Sequence, residues 1–154
     1  MRNINLIIIH CSATRADRNF SVEDLEACHK ARGFRAIGYH YYITRDGLIH
    51  LGRPEEMVGA HAKHYNAHSI GICYEGGLNA NGKPADTRTA AQKRSMAELL
   101  KSLRSDFPDA DIVGHRDMPR RSLREALCAR GGHHLHHARH HHRPLYSRQQ
   151  QAFV

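Results

Sequence analysis

Two histidines far apart in the chain each close a short apolar run. His10 ends Asn5-Leu6-Ile7-Ile8-Ile9-His10, and His115 ends Ala110-Asp111-Ile112-Val113-Gly114-His115. If both runs are strands that end side by side in one sheet, the two imidazoles meet at its edge. A metal site can be assembled in this way from residues over a hundred positions apart. Neutral imidazole is a common metal ligand, and a third ligand would complete a zinc-type set with one position open. Downstream of His115 the only thiol is Cys128, thirteen residues on.

The elements that must hold these groups are legible from pattern. Residues 5–11 are apolar and β-branched on both faces, as a buried central strand should be. Ser21-Val22-Glu23-Asp24 begins a helix with a capping-box pattern and acids in its first turn, and Gly33 ends it. Val22, Leu25 and Cys28 or His29 share one face of that helix. Residues 38–44 are aromatic and β-branched, Arg45-Asp46-Gly47 turns, and residues 48–51 return, which predicts a hairpin. Residues 69–75 form another strand, closed by Gly76-Gly77. After a loop rich in Asn, Gly and Pro, a long helix runs roughly over 89–105 with Met96, Leu99, Leu100 and Leu103 as its apolar stripe. The strand to His115 follows. The order β-α-β-β-β-α-β predicts an α/β domain with a central mixed β-sheet flanked by helices.

Composition bounds the reading further. At 154 residues the chain supports one core. No apolar run is long enough to span a bilayer, and the start of the chain does not read as a signal peptide, which predicts a cytoplasmic protein. With no export signal, the four cysteines read as free thiols. The net charge of +8 invites a nucleic-acid reading. Its distribution argues otherwise: residues 118–154 carry seven arginines against one glutamate, so the body is nearly neutral. After Pro119 the chain lacks Lys, Asp, Asn, Ile, Thr and Met, and seven of the ten residues from His133 to His142 are histidine. The expected division is a domain over 1–119 and an Arg/His-rich, poorly packed tail over 120–154. The abrupt loss of six residue types suggests a GC-rich frame translated out of register.

Five segments then line up in order. They are Ile9-His10-Cys11-Ser12-Ala13-Thr14, Gly38-Tyr39-His40-Tyr41 with Arg45-Asp46-Gly47, Val58-Gly59-Ala60-His61-Ala62-Lys63 with Tyr65-Asn66, Ser69-Ile70-Gly71-Ile72-Cys73, and Gly114-His115-Arg116-Asp117. From about residue 5 to 119 the chain resembles the zinc-dependent N-acetylmuramoyl-L-alanine amidases, which include phage lysozymes that act as amidases and the peptidoglycan recognition proteins. The resemblance implies that fold and one Zn²⁺. The cation would polarise the scissile amide and lower the pKa of an attacking water. It implies His10 and His115 as ligands, and Tyr39 as the active-site tyrosine that orients the water or stabilises the oxyanion. His61 and Lys63 would line the substrate groove, and His40, next to the tyrosine, would contact substrate or support the ligands. The family's third ligand is typically a Cys eight to ten residues after the second His, in a Cys-Pro setting. This chain lacks that setting, which leaves Cys128, with Arg121 or Arg124 standing in for a basic residue.

The implied activity is hydrolysis of the amide between N-acetylmuramic acid and L-alanine in peptidoglycan, by a phage lysis enzyme or a bacterial wall-remodelling one. The partner is peptidoglycan, with no specific nucleic acid and no membrane, and the protein is expected to be a monomer. A second reading is a peptidoglycan-binding module that lacks the third ligand and does not cleave. A third, weaker reading is a nucleic-acid binder acting through the tail. His29, His50, His64 and His68 read as surface or structural residues, Cys11 and Cys73 as small packed residues, and Glu75 as a solvated carboxylate, with a carboxylate in the groove as the alternative.

Overall fold

The computed structural model describes residues 2–114. His115, Cys128, Arg121, Arg124 and the expected tail over 120–154 lie outside the described residues. In chain order the elements are β1 (Leu6–Cys11), β2 (Thr14–Arg15), α1 (Val22–Ala31), β3 (Tyr41–Ile43), β4 (Ile49–Leu51), β5 (Ser69–Tyr74), β6 (Gly77–Leu78), α2 (Ala90–Asp106) and β7 (Asp111–Gly114). The larger sheet has the order β4-β3-β5-β1-β7, and β2 pairs with β6 separately. β1 runs parallel to both β5 and β7, β3 is parallel to β5, and β4 returns antiparallel at the edge. This is the mixed sheet that the element order predicts, with the small β2–β6 pair added.

Alternation along the strands divides the core. Ile7 and Ile9 of β1, Ile70, Ile72 and Tyr74 of β5 and Ile43 of β3 pack with Met96, Leu99, Leu100 and Leu103 of α2. Each such side chain contributes roughly 1.5–3 kcal/mol by leaving water. The opposite face carries Cys73 and Tyr42, which cluster with Tyr39, Ile37 and Leu25 of α1. His10 pairs with Cys73 in register and so belongs to this second face.

Both helices start as their sequences direct. Ser21 caps α1, with Asp24 returning the hydrogen bond, and Thr89 and Gln92 make the same reciprocal box at α2. The hairpin strand is shorter than the aromatic run predicts. Residues 38 and 39 stay hydrogen-bonded but to irregular chain, Gly38 O accepting from Ala60 N and Tyr39 O from Arg53 N, while His40 N donates to Gly71 O of β5. Gly38 is required there, since a Cβ would lie 2.2 Å from Ala60 O. Cys11 and Cys73 are free thiols, as expected, whereas Cys28 is disulfide-bonded, which corrects the free-thiol expectation at that position.

Candidate active site

His10 is the penultimate residue of β1, between two parallel neighbours, and its ring is buried. The β1–β7 register ends with Ile9 opposite Gly114, one residue short of His10 on one strand and of His115 on the other. Around His10 the second face gathers aromatic and imidazole rings. The Tyr39 ring lies 5.0 Å from it, and His61 meets it edge-on at 4.9 Å. His40 packs edge-on against His61 at 5.8 Å, and His29 lies 5.4 Å from Tyr39.

The hydrogen bonds fix these rings. His10 Nε2 and His61 Nδ1 are 2.9 Å apart, and His61 Nε2 lies 3.3 Å from Ser69 Oγ. His40 Nδ1 accepts from Gly71 N at 3.0 Å, and its Nε2 lies 2.9 Å from Met57 O. Burial, followed by lesser contributions that include Arg2 and Arg53, lowers the His40 pKa to about 4. The ring is therefore neutral at pH 7. A neutral imidazole that accepts at Nδ1 carries its proton on Nε2. His40 Nε2–H thus donates to Met57 O, and Arg2 Nη2, 3.2 Å away, is a charged neighbour rather than a donor to it. His29 behaves alike: burial, with Arg32 and Arg53, lowers its pKa to about 4, and its Nδ1 accepts from Gly38 N at 2.8 Å. That bond holds the residue just before Tyr39. His29 is a structural histidine, as expected, and its burial with Leu25 on one face of α1 follows from their i,i+4 spacing.

Tyr39 is fully buried, and burial, with the neighbouring Cys73 thiol next, holds its hydroxyl pKa well above the ordinary value. It is therefore protonated at neutral pH and can donate a hydrogen bond. Lys63 is exposed. His61 and His40 are buried, with both nitrogens of each ring against protein atoms.

Glu75 corrects the expectation of a solvated carboxylate. It is buried at the end of β5, where Oε2 accepts from Phe20 N at 2.6 Å and Oε1 from Arg45 N at 2.8 Å. The Arg45 guanidinium pairs with it at 3.3 Å. Both groups line an open cleft with Asn19, Ser21, Glu23 and Thr44. None of His61, His40 and Lys63 lines that cleft. Among the described residues no three His, Cys, Asp or Glu side chains form a group that could hold a metal.

A family profile described as N-acetylmuramoyl-L-alanine amidase matches residues 1–143. The chain belongs to this amidase family. The match extends beyond Pro119. The chain is 40% identical over 112 residues to the endolysin of Escherichia phage T7, covering 73% of this chain and 74% of the relative. It is 33% identical over 117 residues to a peptidoglycan-recognition protein of Drosophila melanogaster, covering 73% of this chain and 63% of that protein. Among solved structures it is similar to the N-acetylmuramoyl-L-alanine amidase LysC from Clostridium intestinale, with a TM-score of 0.66 and 35% identity over 77% of this chain and 74% of that one. The α/β fold expected from the sequence is thus the fold of the amidase family.

Proposed function

We propose that this chain hydrolyses the amide between N-acetylmuramic acid and L-alanine of peptidoglycan, with one Zn²⁺ held by His10 and His115. The observation that carries the reading is the setting of His10. It stands near the end of a central strand whose register with β7 stops one residue short of both histidines. Its Nε2 is committed to His61, so a cation would be taken by Nδ1. An imidazole oriented through its far nitrogen suits a zinc site. When bound, the metal supplies a Lewis acid for the amide carbonyl and activates the attacking water.

The chain's own residues do the rest. Tyr39, neutral and 5.0 Å from the His10 ring, donates its hydroxyl proton in a hydrogen bond to the oxygen that gains charge as the carbonyl is attacked. The buried face excludes water from that bond and strengthens it. His40 and His61 support the site from beneath, because their nitrogens are spent on protein atoms. Lys63, exposed two residues after His61, is the groove residue of the three. The phage endolysin relatives favour a protein made in the cytoplasm that reaches the wall on release. Peptidoglycan is its partner, with no specific nucleic acid, and it acts as a monomer.

The test is metal content and turbidity clearing of purified cell walls by the full chain. Stoichiometric zinc, with clearing abolished in His10→Ala, supports the enzyme. Sedimentation with walls without clearing supports instead a binding module, a reading favoured by the similarity to a peptidoglycan-recognition protein. Absence of both sinks the two readings together.

A further inference from the structure

We propose that His61 is a positioning residue for the metal-binding nitrogen of His10. Its Nδ1 accepts the His10 Nε2–H and so holds His10 in the tautomer that presents Nδ1 to a divalent cation. The proposal rests on the zinc-amidase reading and assigns His61 a role on the ligand rather than on the substrate.

Two imidazole nitrogens 2.9 Å apart share one proton. If His61 donated it, His10 Nε2 would need its lone pair there, and a neutral His10 would carry its proton on Nδ1, where it would block a metal. The opposite direction leaves the Nδ1 lone pair for coordination. His61 then carries its own proton on Nε2, where Ser69 Oγ lies 3.3 Å away and accepts it. The Ser69 hydroxyl can complete the chain in either direction, and the need for an Nδ1 lone pair on His10 selects the one from His10 to His61 to Ser69. Histidine ligands are commonly oriented by an acceptor at the far nitrogen, and loss of that acceptor typically costs 10–100-fold in metal affinity.

The structure is built around this ring. Asn66 Oδ1 accepts from both His61 N and Ala62 N at 2.9 Å, which fixes the backbone beneath it. The ring lies so close to two glycines that a Cβ at either would press on it. A Cβ on Gly71 would come within 2.7 Å of Nδ1 itself, and one on Gly59 within 2.7 Å of Cδ2. A ring that served only as filler could sit in many orientations. This one is clamped with Nδ1 toward His10.

The test uses the full-length chain and three variants. His61→Phe keeps a ring and removes the acceptor. His61→Asn keeps a polar atom near the Nδ1 position. His10→Ala identifies the His10 signals. Two readouts are taken: zinc affinity by competition with a chromophoric chelator, and the tautomer of His10 in the metal-free protein from long-range ¹⁵N–¹H spectra of histidine-labelled protein. The expected result is His10 protonated at Nε2 in the wild type, zinc affinity 10–100-fold weaker in His61→Phe, and most of it regained in His61→Asn. Folding is checked by circular dichroism, and if His61→Phe does not fold the comparison rests on His61→Asn and the wild-type tautomer. The proposal is overturned if metal-free His10 carries its proton on Nδ1, or if folded His61→Phe binds zinc within twofold of the wild type. Failure of the parent reading looks different: wild type and His10→Ala then bind zinc equally poorly, whatever the tautomer.

Discussion

Gly71→Ala probes the clamp on His61 directly. Gly71 sits in β5 opposite Ile8 of β1, with its N–H on His40 Nδ1. An added Cβ would stand 2.6 Å from His61 Cγ and 2.7 Å from both Cδ2 and Nδ1. Ordinary carbon contact is near 3.5–4.0 Å, so the ring must retreat by roughly 1 Å. It has little room, because Asn66 ties its backbone and Gly59 closes on Cδ2. Overpacking of this kind costs about 1–3 kcal/mol. Replacing a strand glycine by alanine returns about 0.5–1 kcal/mol of backbone entropy. The net expectation is a loss of about 1–2 kcal/mol, which for a chain of this size lowers Tm by roughly 2–8 °C. In a His61→Ala background the obstacle is gone, and the same change should be neutral or stabilising by about 0.5–1 kcal/mol. Urea titrations of the four proteins of the cycle then give a coupling of about 1.5–3 kcal/mol. Equal cost for Gly71→Ala in both backgrounds would refute the clamp.

Three further outcomes follow from other parts of the site. Glu75→Ala leaves the N–H groups of Phe20 and Arg45 and the Arg45 guanidinium without their acceptor, and should cost about 3–5 kcal/mol in denaturant titrations; a cost under about 1 kcal/mol would mean the carboxylate is solvated after all. Gln92→Leu should cost about 2–3 kcal/mol, because the buried amide donates to Ile43 O and Glu75 O and both carbonyls would lose a partner. The pH dependence comes from His29 and His40, whose folded pKa values of about 4 lie below the unfolded value near 6.5. Between those pH values the unfolded chain binds more protons, so this contribution to stability is complete above about pH 6.5 and is lost as pH falls toward 4. At pH 5 unfolding should take up close to two protons from this pair by the same linkage, and His29→Gln should remove about one of them; an unchanged pH slope in that variant would show that His29 titrates normally.

How much of this was legible depended on whether the cause was local. β1 announced itself because a strand buried on both faces needs an unbroken apolar run, and residues 5–11 supply one. The Ser21 capping box was readable because its four residues satisfy one another. The α2 stripe was readable from its period, but the burial of Gln92 was not, since beyond its local box with Thr89 its amide serves two carbonyls, of Ile43 and Glu75, that are distant in sequence. Glu75 misled for the same reason: the groups that accept its burial are 55 and 30 residues away. The aromatic run over 38–44 overstated its strand because period and propensity report extended backbone, not whether a regular partner lies alongside. His61 was found through its sequence setting, but its contact with His10 spans 51 residues and leaves no local trace.

The position of His10 explains why that distant contact is needed. A strand with neighbours on both sides gives its side chains precise positions, yet on its own face the nearest residue within β1 is Ile8, which offers no hydrogen bond. A partner for the ring must come from chain lying over the sheet, where rigidity is not automatic. Here it is supplied by Arg2. Its guanidinium donates to Glu55 O, Asn66 O, Ala67 O and Ser69 O, on either side of His61 in sequence. Asn66, held this way through its own carbonyl, in turn accepts from His61 N. One cation at the start of the chain thus ties down both ends of the segment that carries His61. A buried histidine on a central strand is in this way oriented by a loop that Arg2 and Asn66 hold in place.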